Sequence, residues 1–360
     1  MYIALWIVSS ALALVLVGVL YQCLGSLRDR RLYAHPGRWV TIARGCKLYL
    51  LEEGSGEPAV VFEAGFGATN LNWRHIQEAV ARFTGTASYD RGGLGWSSPC
   101  RTARTPSNVA AELHDLLRCA GIKPPYVLVG HSFGGLVMRR YALLYPEDVA
   151  GLVLVDPMRC EEWPPLDPSK QSQLDLGRKL IRYAVPIAHC GLARLAVTSL
   201  FCRSGKVTGQ LARVSGAGAR HVLGRVTHEV GKMPRKLWPV VAAHWSRPAF
   251  YAGISKYIEA IPETVKEMYA AEPILEIPVT VLTPGQSTPL TEECLRRIGD
   301  RVRQVIAPAS THWIHLDEPA FVIDAIRAMV AVASETVAAG VLPAVLLSSV
   351  AGEGNLLAVK

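Results

Sequence analysis

The chain has 360 residues, a formal net charge of +8 and a hydrophobic fraction of 50%. That length allows one large α/β domain with an insertion and short appendages. The basic residues are scattered and form no block interleaved with aromatic residues, which argues against nucleic-acid binding and favours an anionic membrane surface as partner. A mean hydropathy of +0.22 indicates that part of the chain is embedded in a membrane.

The cysteines set limits on metal and redox chemistry. No two of them have the C-x-x-C spacing, which argues against a zinc site and against a dithiol redox motif. In a chain of this length we expect mostly buried free thiols, which would indicate a reducing compartment. We therefore expect neither a metal nor an organic cofactor. The eight cysteines are at positions 23, 46, 100, 119, 160, 190, 202 and 294.

A long uncharged segment comes first in the chain. Residues 2–24 are nearly all apolar, and a helix of about 20 such residues crosses a hydrocarbon core of roughly 30 Å. Arg28, Arg30 and Arg31 follow this segment, while no Lys or Arg precedes it. The positive-inside rule then predicts an uncleaved single-pass anchor with the rest of the chain in the cytosol. A cleaved signal is the alternative, although secretory signals carry positive charge before their apolar run.

The residues after the anchor alternate between strand and helix patterns, which is typical of a parallel sheet with right-handed crossovers. Asn70 and Ser107 precede two of the helices, and we predict them as N-caps, because their side-chain oxygens accept from unpaired backbone N–H groups. The predicted elements are a β-hairpin over 39–42 and 47–52, strands over 59–63, 86–89, 126–129 and 151–155, and helices over 71–83, 107–120 and 136–145.

The alternation stops after the strand at 151–155. Residues 159–277 predict amphipathic helices, which we interpret as a cap over the carboxyl edge of the sheet. Strand patterns resume at 279–282 and 303–306, with a helix over 292–298 and a closing helix over 318–334. The predicted organisation is an anchor over 1–27, a core over 38–158 and 278–335, the cap over 159–277, and an apolar tail over 336–360 with no assigned role.

The most informative motif is Gly-x-Ser-x-Gly at residues 130–134, which follows an apolar, β-branched run and precedes a helix pattern. This context predicts a strand-to-helix turn that holds Ser132 in strained backbone geometry, with its hydroxyl exposed at the sheet edge. Glycine is needed at Gly130 and Gly134, because a Cβ atom there would collide with the neighbouring strand or helix. A purely structural glycine-rich turn is the alternative interpretation.

Four motifs, taken with their order along the chain, make this sequence resemble the α/β-hydrolase superfamily, especially membrane-tethered serine hydrolases of bacteria. They are the Ser132 motif, Ala-Gly-Phe-Gly at 64–67, Asp-Arg-Gly-Gly-Leu-Gly-Trp-Ser at 90–97, and Ser-Thr-His-Trp at 310–313. The resemblance extends over about residues 38–333. It implies an α/β-hydrolase fold, with a mostly parallel sheet, helices on both faces and an inserted helical cap, and it specifies no substrate.

A serine nucleophile needs a base, and the base needs an orienting carboxylate. The resemblance implies His312 as the base, because the histidine of this superfamily lies on a loop just before the last helix. His315 is the alternative and is expected to pack or cap. His131 is expected to be structural, with its ring on the side of the turn opposite the nucleophile. His75 and His114 are expected on helices, facing solvent.

The carboxylate departs from the usual pattern. The resemblance implies an Asp in the turn after the strand 279–282, but Thr288 occupies that position. A second placement in the superfamily is the end of the preceding strand, where this chain has Asp156. The two strand ends are neighbours in such a sheet, so we predict Asp156 as the acid. A plain Asp-Pro turn is its structural alternative, and Glu292 and Glu293 are distant candidates because they should lie on a helix.

Two backbone N–H groups should bind the developing oxyanion. The resemblance implies those of Phe133, directly after the nucleophile, and of Phe66, in the loop after the strand 59–63. Asp90 and Arg91 are interpreted as a structural salt-bridged turn. Ser97 is not expected to be a nucleophile, because nothing around it builds a strand-to-helix turn.

These residues predict acyl transfer to Ser132 and hydrolysis of an ester, thioester or amide. A catalytically inactive binding protein and a cofactor-free C–C hydrolase or lyase are the alternatives. Serine at the nucleophile position argues against epoxide hydrolase and dehalogenase chemistry, which form an ester on a carboxylate. The expected partners are a small lipophilic acyl substrate and the membrane. Aromatic residues that predict an apolar acyl pocket in the cap are Trp163, Trp238, Trp245 and Phe250.

Overall fold

The computed structural model describes residues 2–33, 36–159, 168–202, 229–270 and 274–338. Within them, eight strands form one sheet in the order β1-β2-β4-β3-β5-β6-β7-β8. Strand β2 pairs antiparallel with β1 and β4, and all other neighbours are parallel. The strands are β1 (Arg38–Thr41), β2 (Lys47–Glu53), β3 (Ala59–Glu63), β4 (Thr86–Tyr89), β5 (Tyr126–His131), β6 (Val149–Val155), β7 (Val279–Pro284) and β8 (Val302–Ala307).

Helices cover both faces of the sheet, as the alternating pattern predicts. One face packs against α3 and α4 and the other against α2 and α12, so the central strands are apolar throughout. The helices of the described residues are α1 (Tyr2–Leu32), α2 (Arg74–Val80), α3 (Pro106–Ala120), α4 (Phe133–Leu144), α5 (Pro168–His189), α6 (Leu192–Cys202), α7 (Trp238–Trp245), α8 (Pro248–Glu259), α9 (Ile261–Tyr269), α10 (Glu292–Ile298), α11 (Ile314–Asp317) and α12 (Pro319–Ala338). The predicted α/β fold class is confirmed.

Both predicted N-caps are wrong. Asn70 lies inside a 3-10 turn (Asn70–Trp73) that precedes α2, and its backbone N–H donates to Asp90 Oδ1 at 2.9 Å. In α3 the cap is Thr105, whose Oγ1 accepts from the N–H of Asn108 at 3.4 Å. The next residue is a proline, which is favoured at the first helical position and places Ser107 one residue inside the helix.

Between β6 and β7 the described chain forms the helices α5 to α9, joined by non-helical segments such as 156–159 and 274–278. Residues 160–167, 203–228 and 271–273 of the predicted cap lie outside the described residues, and so does the predicted pocket residue Trp163. Residues 339–360 of the predicted tail also lie outside them. The remaining tail residues, 336–338, are the end of α12.

Helix α1 is the one described helix that is both long and apolar enough to cross a membrane by itself. Its most apolar window has a mean hydropathy of 2.6 and is not buried by the rest of the chain. Such a helix is either a membrane span or a signal sequence. It continues to Leu32, beyond the predicted end at residue 27, because its last turns dock on the chain: Asp29 pairs with Arg194 at 2.7 Å.

The cysteine prediction needs a correction. Cys46 and Cys100 form a disulfide, and both are buried. Of the free cysteines that the structure describes, Cys23 and Cys119 are exposed rather than buried. The pair escaped sequence analysis because its separation of 54 residues matches no motif. Pairing of β2 with β4 brings the hairpin turn and the loop after β4 together, and the disulfide removes the support for a reducing compartment.

Candidate active site

Ser132 lies on a tight turn between β5 and α4, as predicted. Its φ and ψ are 53° and −118°, a strained combination for a residue with a side chain. A Cβ on Gly130 would come within 2.5 Å of the Gly134 carbonyl oxygen, and a Cβ on Gly134 within 2.5 Å of the Glu63 carbonyl oxygen. The N–H of Ser132 donates to Val155 O at 3.1 Å, which ties the turn to the end of β6.

His312 and Asp156 are brought together although 156 residues separate them in the chain. His312 Nδ1 lies 2.7 Å from Asp156 Oδ2. Asp156 directly follows β6 with a φ of 39°, and its N–H donates to Leu282 O of β7 at 2.8 Å. His312 lies on the loop between β8 and α11. The site therefore forms at one edge of the sheet, where the parallel strands end.

The turn after β7, where the usual pattern places the acid, contributes an arginine contact instead. The carbonyl oxygen of Thr288 accepts from Arg159 Nη1 at 2.6 Å. Arg159 Nη2 lies 3.9 Å from Asp156 Oδ1. Glu292 and Glu293 are both on α10, and Glu292 pairs with Arg296 at the surface. Arg159 thus lies between this turn and Asp156, a contact that the sequence pattern did not predict.

Phe66 and Phe133, the residues predicted to supply oxyanion N–H groups, both lie close to Ser132 in the structure. Phe133 is the first residue of α4, where N–H groups have no partner within the helix. Among the described residues, no backbone hydrogen bond uses the N–H of Phe66 or of Phe133. A Cβ on Gly65 would lie 3.6 Å from the Cβ of Ser132, so the Phe66 loop passes directly beside the serine.

A buried ion pair between Arg91 and Glu63 stabilises the loop that contains Phe66. Arg91 donates to Glu63 Oε1 at 2.8 Å, and both side chains are 1% exposed. Arg91 also donates to the carbonyl oxygens of Ala64 and Gly65, at 2.6 and 2.5 Å. Burial raises the pKa of Glu63, while the charge of Arg91 opposes that shift. A charged residue ending the apolar strand β3 was the sequence signal for this pair, and sequence analysis missed it.

Asp90 and Arg91 are structural, as predicted, and the salt bridge joins Arg91 to Glu63. Asp90 accepts from the N–H groups of Asn70 and Trp96, each at 2.9 Å, and burial raises its pKa to about 7. Ser97 Oγ donates to the carbonyl oxygen of Asp90 and accepts from the N–H of Tyr49. Both residues shape the turn, and Ser97 is bonded as a buried structural residue.

Two histidines pack behind His312. His131 is buried, and its Nε2 donates to the carbonyl oxygen of His312 at 2.9 Å. His315 is fully buried, with its ring 4.8 Å from that of Trp73 and 4.3 Å from that of His131. Burial holds the pKa of His315 well below its usual value. These packing roles agree with the sequence-based interpretation of both residues.

His75 and His114 do not face solvent, contrary to the prediction. His75 is half-buried, and its Nε2 donates to the carbonyl oxygen of His315 at 2.8 Å. The ring of His114 stacks on that of Tyr145 at 3.8 Å between centroids. His75 therefore faces α11, and His114 faces the end of α4.

The cap reaches the site through a few side chains that sequence analysis did not identify. Lys232 Nζ donates to Thr311 Oγ1 at 2.6 Å and pairs with Asp317 at 2.5 Å, next to His312. The buried ring of Tyr257 lies 6.0 Å from that of Phe66 and 5.9 Å from that of Phe133. The cap thus contacts both the loop that holds His312 and the loop that holds Phe66.

The aromatic residues predicted in the cap lie in two places. Trp238 and Trp245 pack in an apolar cluster that joins Met233 and Val241 of the cap to Leu71 of the core. The rings of Trp245 and Phe250 are 6.2 Å apart, and Phe250 packs against the core beneath. The described members of the predicted set, Trp238, Trp245 and Phe250, thus all join the cap to the core.

Comparison with known proteins identifies the class. The sequence profile of the alpha/beta hydrolase fold matches residues 58–192. Uncharacterized protein YqjL of Bacillus subtilis is 36% identical over 114 residues, which are 31% of this chain and 45% of that protein. The chain therefore spans less than half the length of this curated relative. Together with the sheet order and the Ser132 turn, these matches show that the chain belongs to the α/β-hydrolase superfamily.

Solved structures support the same fold. A thermophilic esterase from Thermogutta terrifontis superimposes with a TM-score of 0.57 and 19% identity, over 83% of this chain and 99% of the esterase. The epoxide hydrolase CorEH superimposes with a TM-score of 0.56 and 17% identity, over 82% of this chain and 98% of that one. Similarity at these identities establishes the fold and leaves the reaction open.

Proposed function

We propose that the protein is a serine hydrolase that cleaves an ester, thioester or amide through an acyl-enzyme on Ser132. The main support is the 2.7 Å contact between His312 Nδ1 and Asp156 Oδ2, at the sheet edge where Ser132 follows β5. A serine, a base and an orienting acid at one edge form the constellation that acyl transfer needs.

In the proposed mechanism Asp156 holds His312 with its proton on Nδ1, so Nε2 accepts the proton of the Ser132 hydroxyl. The serine oxygen attacks the acyl carbon, and the negative oxygen that forms is stabilised by the N–H groups of Phe66 and Phe133. His312 then protonates the leaving group. A water activated by His312 finally hydrolyses the acyl-enzyme and regenerates Ser132.

The structural similarity to an epoxide hydrolase gives a second reaction to consider. That chemistry forms an ester on a carboxylate nucleophile, and this chain carries Ser132 at the nucleophile position. Serine therefore favours acyl transfer. A binding protein without activity and a C–C hydrolase or lyase on the same residues are the remaining alternatives.

The test is covalent labelling with a fluorophosphonate probe, followed by peptide mass spectrometry. We expect labelling on Ser132 and none in Ser132→Ala, which should stay folded because the loss of a half-buried hydroxyl opens no core cavity. Absence of labelling in the folded wild type would support the binding-protein alternative. A series of acyl esters of increasing chain length would then identify the acyl preference.

We also propose that α1 is retained as a membrane anchor and that Arg28, Arg30 and Arg31 keep the catalytic domain on the cytosolic side. The buried disulfide between Cys46 and Cys100 argues for the opposite side, because disulfides persist in oxidising compartments. Protease treatment of intact cells distinguishes the two: cytosolic placement predicts full protection of the domain. Digestion of the domain, together with an oxidised pair in protein alkylated inside cells, would place it outside.

A further inference from the structure

The turn between α5 and α6 packs against α1 well inside its apolar part. A Cβ on Gly18 would lie 2.1 Å from the carbonyl oxygen of Cys190, and a Cβ on Gly191 would lie 2.6 Å from the carbonyl oxygen of Gly18. The two backbones are therefore in direct contact, in the way that small residues allow between helices in membranes.

The depth of this contact follows from the helix geometry. Gly18 precedes Arg28, the first charged residue of α1, by ten positions. At about 1.5 Å per residue, ten positions place Gly18 roughly 15 Å from Arg28 along the helix axis. If Arg28 lies among the lipid headgroups, the contact with Cys190 and Gly191 lies within the hydrocarbon layer.

The helices that meet at this turn present an apolar surface. Leu180 and Tyr183 on α5 are 62% and 67% exposed, and Leu192 and Leu195 on α6 are 57% and 55% exposed. Ile187 lies between them on α5 and is 46% exposed. We call these five side chains the apolar corner. Exposed apolar side chains grouped in this way mark an interaction surface.

Polar contacts join the apolar corner to α1. Basic side chains beside the corner can interact with lipid headgroups. Arg194 of α6 is nearly buried and donates to Gln22 at 3.1 Å and to Asp29 at 2.7 Å. Lys179 and Arg182 are exposed on α5 beside the corner. Lysine and arginine at such positions extend toward anionic headgroups while their stems stay on apolar surface.

We propose that the apolar corner inserts among the acyl chains of the leaflet that holds the end of α1, so that the cap rests on lipid. The two helices bend by 92° at the turn, a geometry that fits either a broken span or a re-entrant segment, and we assign the re-entrant arrangement. The occupant is phospholipid, because the corner is continuous with the lipid-facing surface of α1. This placement rests on α1 being a membrane span, as proposed above, and is independent of the reaction at Ser132.

The test uses the full chain in nanodiscs of three parts phosphatidylcholine and one part phosphatidylglycerol. Photoreactive p-benzoylphenylalanine replaces Leu180 or Leu195, one at a time, and the adducts formed on irradiation are identified by mass spectrometry. We expect phospholipid adducts at both positions. Leu14 of α1, which is 73% exposed, serves as the lipid-facing control, and Leu144 of α4, which is 40% exposed, serves as the control on the core.

Each outcome decides the proposal. Lipid adducts at Leu14 without adducts at Leu180 and Leu195 would overturn the corner and leave the anchor intact. No adduct at Leu14 would overturn both. A cross-link from Leu180 to a second copy of the chain would show that the corner is a protein interface instead. Fluorophosphonate labelling of the same nanodisc samples reports separately on Ser132, so the proposed reaction can fail or hold independently.

Discussion

The hydrolase core and the cap bear on the candidate site in different ways. In the core, ionised side chains are buried and paired: Arg91 with Glu63, and Arg104 with Glu112, each side chain being 1% exposed. In the described part of the cap, a few side chains such as Lys232 and Tyr257 reach the site, while the apolar corner stays exposed.

This difference separates two tasks. The core holds the Ser132 turn, the His312 loop and the Phe66 loop in fixed relation, because each is hydrogen-bonded to buried neighbours. The cap adds side-chain contacts to the His312 and Phe66 loops. By our proposal it also provides a surface that binds lipid. Substitutions in the core should therefore affect the chemistry or the fold strongly, and substitutions in the cap should have graded effects.

The largest expected effect is at Asp156. Asp156→Asn keeps the size of the side chain but offers an amide, so His312 should hold its proton on the wrong nitrogen. We expect kcat to fall by roughly 10³–10⁴ with little change in thermal stability. Glu292→Gln and Glu293→Gln, measured by the same ester hydrolysis assay, should be nearly silent. Near-normal turnover in Asp156→Asn would show that the acid comes from elsewhere.

The second prediction concerns the stability of the core. Arg91→Met leaves Glu63 buried without its charge partner, which typically costs about 3–5 kcal/mol in the free energy of unfolding. Arg296→Met removes an exposed partner of Glu292, and we expect a change of no more than about 0.5 kcal/mol. Chemical denaturation measures both. Adding Glu63→Gln to Arg91→Met should recover part of the loss, and a double variant as unstable as Arg91→Met alone would contradict this account.

The third prediction concerns the cap contact next to His312. Lys232→Met removes the bonds to Thr311 and Asp317, and we expect kcat to fall by about tenfold with KM nearly unchanged, because the histidine loop loses one of its restraints. Lys266→Met is the matched control, since Lys266 is an exposed cap lysine paired with Glu263. A rise in KM at constant kcat would assign Lys232 to substrate binding instead.

The smallest expected effect is on how the free energy of unfolding depends on pH. It concerns one buried histidine in the core and one in the cap. Burial lowers the pKa of His315 in the core well below its usual value, and that of His244 in the cap to about 3. The unfolded chain binds a proton at each site below about pH 6.5, while the folded chain does not. Above pH 6.5 each histidine is neutral in both states and contributes no difference. As the pH falls below 6.5, each site lowers the free energy of unfolding, by at most about 1.4 kcal/mol per pH unit.

His315→Phe and His244→Phe should each make the free energy of unfolding less sensitive to acid than in the wild type. Comparison with the wild type at each pH cancels the opposite contribution of Asp90, whose pKa is raised to about 7. Denaturation curves between pH 7.5 and 5 provide the measurement. A reduced sensitivity for His315→Phe alone would show that the cap unfolds separately from the core.

The patterns that depend on neighbouring residues could be predicted from the sequence. The apolar helix α1, the strand runs and the Gly-x-Ser-x-Gly turn around Ser132 each depend on side-chain spacing or on backbone sterics within a few residues. The N-caps at Asn70 and Ser107 failed for a related reason. A proline and a buried aspartate nearby shifted the helix starts, and the choice of cap depends on such competing partners.

Contacts between distant residues were decided by the tertiary structure. Asp156 was a candidate by its position at a strand end, but its contact with His312 requires β6, β7 and the loop after β8 to lie side by side. The disulfide between Cys46 and Cys100 and the pairing of Arg91 with Glu63 likewise join segments that only the sheet order brings together.

The docking of α1 on the cap has the same origin. An uncharged run of this length determines a helix that can span a bilayer. Each apolar side chain favours transfer of the helix into the hydrocarbon layer, whatever residues lie next to it in the fold. That Gly18 meets Gly191, and that Arg194 reaches Asp29, depends on how the chain folds back over more than 160 residues. The sequence by itself thus determined the local elements and the nucleophile turn, whereas the partners of those elements were set by packing, since many chain crossings satisfy the same local pattern.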